Sequence, residues 1–567
     1  MSWPPFWSGE SGPSVTTLSS GALDVEAATG AAEDIGDADV DGVDAGDLLS
    51  GQAKAHAAAK LNGNALQRFE TVWVHMFSPV RGSKCREAIV MRAHPPVNRE
   101  EPAREIAVAS ARRALHDRAM NTPGHRYCII GAGPSGLAQA RAFSRRGIEY
   151  DVFERHRDVG GLWDMQNPGS PLYESAHFIS SRTRSGFLGF PMPAAYPDYP
   201  RHDQILSYLR SFAEAYGLRE SIQFGKAVER VTFSEDGARV EVDGHTREYA
   251  GVVCASGVNW EPNLPEYPGR FAGTFRHTAS YQQPSELHGK RVLIIGLGNS
   301  GADIACDAAR FAKKAYVSVR RGYHFIPKHI FGKPADVFAH EGPKLPKWLE
   351  AYVFGWLHRL IVGDTTALGM PKPEHGILES HPLMNDQLLH HLRHGDITLV
   401  PDVSGFSERH VTLADGRSLE VDEVLAATGY RVQLPYVDAA EIEWRGQRVA
   451  HYLTVFSRKH PALFTLGFVE LNGALYPHLD QLAALVAEYA RARVEQPEAA
   501  ERFRELVRTD ASDLGGGAHY VKSARHDFYC DDEVLRKETL RAFRRCGWKP
   551  PEAERLFPTR AVVPGAC

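Results

Sequence analysis

Short, wholly apolar runs alternate with helical periodicity through most of the chain, and this pattern predicts the elements before any chemistry is considered. "YCII" (Tyr127–Ile130) and "VLII" (Val292–Ile295) are runs of the kind expected of strands buried on both faces. Each gives way to a glycine-rich break and then to apolar residues at helical spacing, in "SGLAQARAFSRRG" and "SGADIACDAARFA". A second strand follows each helix, "YDVFE" in the first case and "KKAYVSVRRG" in the other. "ARVEVDG" and "REYAGVVCASG" read as further strands of the first unit, and "DEVLAATGY" is expected to return the chain to it. "FTLGFVELNGALYPHLDQLAALVAEYARA" adds a strand and a long helix. The run "KWLEAYVFGWLHRLIVG", from Lys347 to Gly363, has aromatics at near-helical spacing. It reads as core or dimer surface ahead of a membrane foot, or as a wall of a substrate channel. Repeated strand–helix–strand units predict an α/β fold with parallel sheets.

The breaks carry the first chemistry. Gly131, Gly133 and Gly136 spell GxGxxG, with Pro134 and Ser135 between them. Such glycines permit a tight turn, a close approach of backbone to a pyrophosphate, and tight helix packing, with the helix N-terminus facing the anion. Glu154 ends the following strand 23 residues after Gly131, where a carboxylate binds ribose hydroxyls. "GGLW" follows, and Gly161, Leu162 and Trp163 join the expected cofactor contacts. Gly296, Gly298 and Gly301 repeat the turn, with Asn299 and Ser300 inside it. Here the acid is replaced by Arg320 and Arg321, 24 and 25 residues after Gly296. An arginine accommodates the 2′-phosphate of NADP, which a carboxylate repels. The plainer reading is a surface arginine pair closing a strand. On the first reading, one turn suits a ribose diol and the other a phosphorylated ribose.

Composition narrows the class. A chain of 567 residues has room for roughly two to four domains. A net charge of −5 does not point to nucleic acid or an anionic membrane as the main partner. Seven cysteines (Cys85, Cys128, Cys254, Cys306, Cys530, Cys546 and Cys567) show neither CxxC nor metal-ligand spacing, which suits a reducing compartment. There is no apolar run of about 18 residues and no signal-peptide pattern, so a soluble cytoplasmic protein is expected. Residues 1–50 lack Lys and Arg and hold nine Asp or Glu between Asp24 and Asp47, a composition of disorder. "DADVDG" within it imitates a calcium loop, but Leu48 stands where a bidentate Glu belongs. "ETVWVHMF" and "EPAREIAVASARRALHDRA" suggest a strand and a short helix without making a domain. Met120 precedes the first strand, so residues 1–119 read as an appended tail or a translation-start artefact.

Between the two turns lies "FAGTFRHTASY", with Phe271, Gly273, His277 and Tyr281. Alone it reads as a linker with core aromatics. Together with "GAGPSG", "GGLW", "GLGNSGADIA" and "ATGY" (Ala427–Tyr430), in that family's order, the chain from Met120 to Tyr489 resembles the flavin-containing monooxygenases. The resemblance implies FAD at the first turn and NADPH at the second. It implies that NADPH reduces the flavin, that O2 adds at C4a, and that retained NADP shields the hydroperoxyflavin. The distal oxygen then passes to a soft nitrogen or sulfur nucleophile, or to a ketone. Tyr281 in place of Trp leans toward N- and S-oxidation over Baeyer–Villiger oxidation. The family carries an Asn close to the flavin in a segment like "SNSSK". Setting "LYESAHFISSRTRSGFLGFPMP" against that pattern puts Ile179 at the Asn position, with Ser180 and Ser181 following. Isoleucine cannot donate a hydrogen bond. Either Ser180 or His177 substitutes, or the enzyme leaks hydrogen peroxide.

The expected protein is thus α/β, with two Rossmann-like dinucleotide-binding domains and the NADPH domain inserted in the FAD domain. Expected boundaries are 1–119 for the extension, 120–285 and 411–567 for the FAD domain, and 286–410 for the NADPH domain. Ile179, Ser180, His277 and Asn472 form the expected catalytic set, the loop around Asn472 approaching the flavin ring. Ser181, Thr428 and Gly429 join the cofactor contacts, and no metal is expected. Partners are a small-molecule substrate and O2, with a homodimer left open. Two alternatives share the fold. One is a non-oxygenating NADPH-dependent flavoprotein, oxidase-like or redox-sensing, which Ile179 favours. The other is a disulfide reductase, which the lack of CxxC disfavours.

Overall fold

The computed structural model describes residues 125–553, apart from 236, 343–345, 378, 381–382, 447 and 518–528. The expectations for residues 1–119, including the "DADVDG" loop and the "ETVWVHMF" strand, lie outside the described residues.

From its start the described chain runs through β1 (Tyr127–Ile130), α1 (Pro134–Arg146), β2 (Tyr150–Glu154), α2 (His202–Ala215), β3 (Ile222–Phe224) and β4 (Gly251–Cys254). Next come β5 (Thr274–His277), β6 (Arg291–Ile295), α3 (Asn299–Phe311) and β7 (Lys314–Ser318). The helices α4 (Ala335–Glu341), α5 (Lys347–Ile361) and α6 (Asp386–His394) precede β8 (Ile397–Val400) and β9 (Glu423–Ala426). The chain then forms β10 (Leu463–Thr465), α7 (Tyr476–Glu495), α8 (Pro497–Thr509) and α9 (Asp532–Arg545).

Two five-stranded parallel sheets result. The first has the order β10-β4-β1-β2-β3 and the second β5-β9-β6-β7-β8. All four residues of β1, of β4 and of β9 are buried, because helices cover one face and antiparallel strands the other. On the first sheet α1 lies along α7, with Leu137, Ala138 and Phe143 in one core with Leu479, Leu482 and Val486. The meander Val228–Phe233, Ala238–Val242 and His245–Tyr249 closes the opposite face over Cys128, Ile130 and Val252. Around the second sheet, α3 and α6 pack against Val292, Ile294 and Val317. Strands Val403–Glu408, His410–Leu413 and Ser418–Glu420 cover its other side. Helix α1 opens on Pro134, whose missing N–H has no role in a first turn, and ends at Gly147 in the left-handed region, φ 66°.

Two expectations are corrected. "DEVLAATGY" does not return the chain to the first unit: β9 pairs with β6 and β5 in the second sheet. The return comes at β10, which pairs with β4. The apolar run of β9 identified a buried strand and carried no information about which sheet buries it. Sheet membership therefore spans Thr274–Ala426, wider at both ends than the expected 286–410. The core reading of the aromatic run also fails. It does form α5, but Tyr352, Trp356 and Leu360, one turn apart, are 70%, 56% and 66% exposed. No helix among the described residues is long and apolar enough to cross a membrane.

His478, in the first turn of α7, supplies a test of this packing. Burial, reinforced by Arg536 and Arg184, lowers its pKa to about 4. Unfolded, the imidazole titrates near 6.5, so between pH 6.5 and 4 the unfolded chain binds a proton that the native chain refuses. Stability is complete above pH 6.5 and falls as pH drops toward 4, by on the order of 3 kcal/mol from this residue. Urea titrations at pH 7.5 and pH 4.5 should show this part of the decline missing in His478→Gln.

Candidate functional site

The first glycine turn is built from three backbone approaches. Gly131 has φ 103°, and a Cβ there would lie 2.8 Å from the Ala255 carbonyl oxygen. A Cβ on Gly136 would lie 1.8 Å from the Gly131 carbonyl oxygen, so these two positions accept only glycine. At Gly133 a Cβ would meet the Gly161 Cα at 3.6 Å, an ordinary contact. Gly133 and Gly161 are thus neighbours, and the Gly160 N–H donates to the Ala132 carbonyl at 3.0 Å. The turn and the "GGLW" segment form one backbone surface facing the N-terminus of a 13-residue helix. That is the donor set of a pyrophosphate site.

Glu154 is buried beneath this turn. Its Oε2 accepts the Ala132 N–H at 2.7 Å and its Oε1 the His156 N–H at 2.8 Å. The carboxylate braces the turn, and its remaining lone pairs are free for hydroxyls. Beside it the Arg155 guanidinium lies 4.2 Å over the Trp260 ring, whose Nε1 donates to the Ser256 carbonyl. Sequence reasoning missed that platform, because 105 residues separate its two members (260 − 155).

The second turn repeats the construction. Gly296 has φ 95° and a Cβ there would lie 2.8 Å from the Ala427 carbonyl oxygen. A Cβ on Gly301 would lie 2.3 Å from the Gly296 carbonyl oxygen. Ala427 therefore plays for this turn the part that Ala255 plays for the first, and "ATG" corresponds to "ASG". Gly298 is the N-cap of α3, with Asn299 and Ser300 in its first turn. Arg320 is exposed just past β7, and Arg321 lies 5.6 Å over the Tyr323 ring. Neither belongs to an ion pair among the described residues.

The expected catalytic residues separate. Phe178 packs on Trp163 at 5.2 Å and on Tyr476 at 5.5 Å, so the Ile179–Ser181 segment continues the surface begun by "GGLW". Ile179 is 41% exposed and Ser180 half-buried. Ser181 is fully buried, and its N–H donates to Asp336 Oδ2 on α4 at 2.8 Å. His177 turns its Nδ1 back to the Ser175 carbonyl at 2.8 Å.

His277 sits elsewhere. Its Nδ1 accepts the Ala279 N–H at 3.0 Å, and its ring meets Tyr430 edge-on at 5.1 Å. Burial keeps this imidazole's pKa low, and the Gly429 backbone only partly offsets that. It braces the connection between sheets, where Glu261–Pro262 pairs with Tyr430–Arg431 and the Thr428 hydroxyl donates to the Asn263 carbonyl at 2.6 Å. Asn472 is engaged at the start of α9. Its Oδ1 accepts the Asp532 N–H at 2.8 Å and its Nδ2 reaches Asp531 at 3.4 Å, so this amide holds a helix.

Two linked parallel sheets, each with a glycine turn under a helix N-terminus, define a two-dinucleotide flavoprotein of the Rossmann-like α/β class. Residues 124–531 match the model of the family described as flavin-binding monooxygenase-like. The chain belongs to that family and is an oxidoreductase, a monooxygenase using FAD and NADPH. Flavin-containing monooxygenase 5 of Oryctolagus cuniculus is 29% identical over 436 residues, covering 72% of this chain and 80% of the relative. Human flavin-containing monooxygenase 3 is 30% identical over 412 residues, covering 68% and 77%. In structure, a flavin-containing monooxygenase from Stenotrophomonas maltophilia matches with a TM-score of 0.51 at 24% identity, covering 65% of this chain and 98% of that one. Caprolactone-bound cyclohexanone monooxygenase matches with a TM-score of 0.53 at 19% identity, covering 75% and 99%.

The turn geometry predicts three distinct glycine phenotypes. Gly136→Ala should give unstable, colourless protein, because the new methyl group strikes backbone. Gly133→Ala should fold normally and lose FAD on dialysis, because there the excluded space belongs to the ligand. Gly298→Ala, at the N-cap position that corresponds to Gly133, should stay yellow while its NADPH Kd rises at least about tenfold, equivalent to 1.4 kcal/mol. Flavin absorbance and anaerobic titration with NADPH separate the three.

Proposed function

We propose that the protein transfers one atom of O2 to nitrogen or sulfur of a small molecule, or inserts it beside a ketone carbonyl, at the expense of NADPH. The observation that carries this reading is the pair of equivalent turns with opposite chemistry beyond them, Glu154 in one case and Arg320 with Arg321 in the other. Relatives named for oxygenation of either kind support the range. They include the flavin-containing monooxygenases, an S-allyl-L-cysteine S-oxygenase from Allium sativum and cyclohexanone monooxygenase. In this reading the FAD unit is formed around the first sheet and the NADPH unit around Thr274–Ala426.

Bound together, the flavin and the nicotinamide supply hydride transfer and oxygen activation. The chain's own residues bind, orient and exclude water. Gly131–Gly136 and Gly160–Gly161 hold the FAD pyrophosphate, and Glu154 takes its ribose hydroxyls. Gly296–Gly301 hold the NADPH pyrophosphate, and the two arginines clamp its 2′-phosphate. Phe178 and Trp163 keep the approach to Ile179 and Ser180 apolar. A screen of amines, thioethers and ketones, read by product mass, tests the whole reading. NADPH consumption without any oxygenated product would favour the non-oxygenating alternative.

Two narrower outcomes are expected. Arg320→Ala/Arg321→Ala should lower kcat/KM for NADPH roughly thirtyfold, the loss of one charge-assisted contact of about 2 kcal/mol, and leave NADH unchanged. Equal use of both coenzymes by the wild type would remove the assignment. Ile179 offers no donor at the position where the family resemblance implies an Asn, so much of the NADPH oxidised without substrate should appear as hydrogen peroxide. Ile179→Asn should reduce that share, measured by a peroxidase-coupled assay at matched FAD content. An unchanged share would mean position 179 does not face the reacting oxygen.

A further inference from the structure

Helix α3, whose first turn forms the coenzyme cradle, carries two acids one turn apart, Asp307 buried and Asp303 partly buried, that form no ion pair among the described residues. Asp303 Oδ2 accepts the Tyr173 hydroxyl at 3.0 Å, and its Oδ1 accepts from Asn385 Nδ2 at 2.7 Å. Asp307 Oδ2 accepts two hydroxyls, Ser175 at 2.6 Å and Tyr281 at 3.0 Å. Tyr173 and Ser175 begin the stretch that leads through Phe178 to Ile179, Ser180 and Ser181. We propose that Asp303 and Asp307 are positioning residues that lock the Tyr173–Ser181 segment to the coenzyme helix, so that NADPH seated at the start of α3 orders the flavin-facing segment of the other unit. The inference rests on the function proposed above.

Five observations support it. Tyr173 and Tyr281 are buried with ring centroids 5.9 Å apart, and phenylalanine would fill that space equally well, so the hydroxyls are present for the carboxylates. The Glu174 N–H donates to the Gln282 carbonyl at 2.7 Å, which holds the same two strands of chain together independently. Burial pushes both carboxyls up from the usual range, with Lys328 near Asp303 and Arg310 near Asp307 only partly opposing it. Burying acids without paired cations is costly and gains little for packing. Burial and Asp303 also raise the Tyr173 phenol, while Ser300 acts the other way. At the far end Ser181 is pinned to Asp336, leaving the segment held on both sides by the NADPH unit.

Hydrogen exchange of the 173–181 peptide, in full-length FAD-loaded protein with and without saturating NADP+, tests the lock. NADP+ should slow exchange there in the wild type. Ser175→Ala/Tyr281→Phe should keep FAD, melt within about 5 °C of wild type and bind NADP+ within about threefold. The same variant should lose NADP+-induced protection by about fivefold or more, the lower range of coupling between distinct sites. Asp307→Asn, which retains an acceptor oxygen, should recover part of the protection, and Asp307→Leu none. Undiminished protection in the double variant overturns the proposal, as does a wild type whose exchange ignores NADP+. A lower melting temperature with protection intact also overturns it, marking the acids as structural braces. Exchange needs no turnover, so a wild type that oxygenates nothing counts against the proposed function alone.

Discussion

Everything in this molecule depends on an approach of backbone to backbone that a single methyl group would prevent. Gly131 lies against the Ala255 carbonyl and Gly296 against that of Ala427, and in each turn the third glycine lies against the carbonyl of the first. The contact sets how deeply a helix N-terminus sinks toward its sheet. Only at that depth do the first-turn N–H groups converge on a diphosphate. Glu154 holds the first turn from beneath through the Ala132 N–H.

Making the construction twice in one chain leaves the problem of joining the copies. The connections after β4 and β9 run side by side and pair through Glu261–Pro262 and Tyr430–Arg431. His277 is packed against this junction, with its ring on Tyr430 and its Nδ1 closing a local turn. The hydroxyl–carboxylate contacts of Tyr173 and Ser175 with α3 form a second junction. One junction orients the two units and the other relates their working surfaces.

Much of this was legible in the residues. The two apolar runs, the two GxGxxG turns and the helices behind them are local patterns, and the structure places them as read. The acid of one unit and the arginines of the other were also visible, because they stand at a fixed chain distance from their turns. The assignment of "DEVLAATGY" went astray, because its apolar run carries no mark of the sheet that buries it. "VVCASG" and "VLAATG" are alike, and each supplies the alanine carbonyl that its own turn leans on. Asn472 was expected near the flavin from its loop and His277 in the catalytic set from the fingerprint; their hydrogen bonds run to the start of α9 and to a local turn beside the junction.

By itself the sequence determined the periodicities, the glycine positions and the sign of charge beyond each turn, hence the fold class and the two cofactors. These are properties of segments shorter than about 30 residues, where chain connectivity holds the partners together. Tertiary structure alone decided which sheet takes β9, that Phe178 meets Trp163, that Arg155 stacks on Trp260, and that Asp303 and Asp307 receive the hydroxyls of Tyr173 and Ser175. Those pairings join residues far apart in the chain through burial and hydrogen bonding. Burial is non-directional, so an apolar strand or an isolated Asp carries no mark of its partner until the core has closed around it.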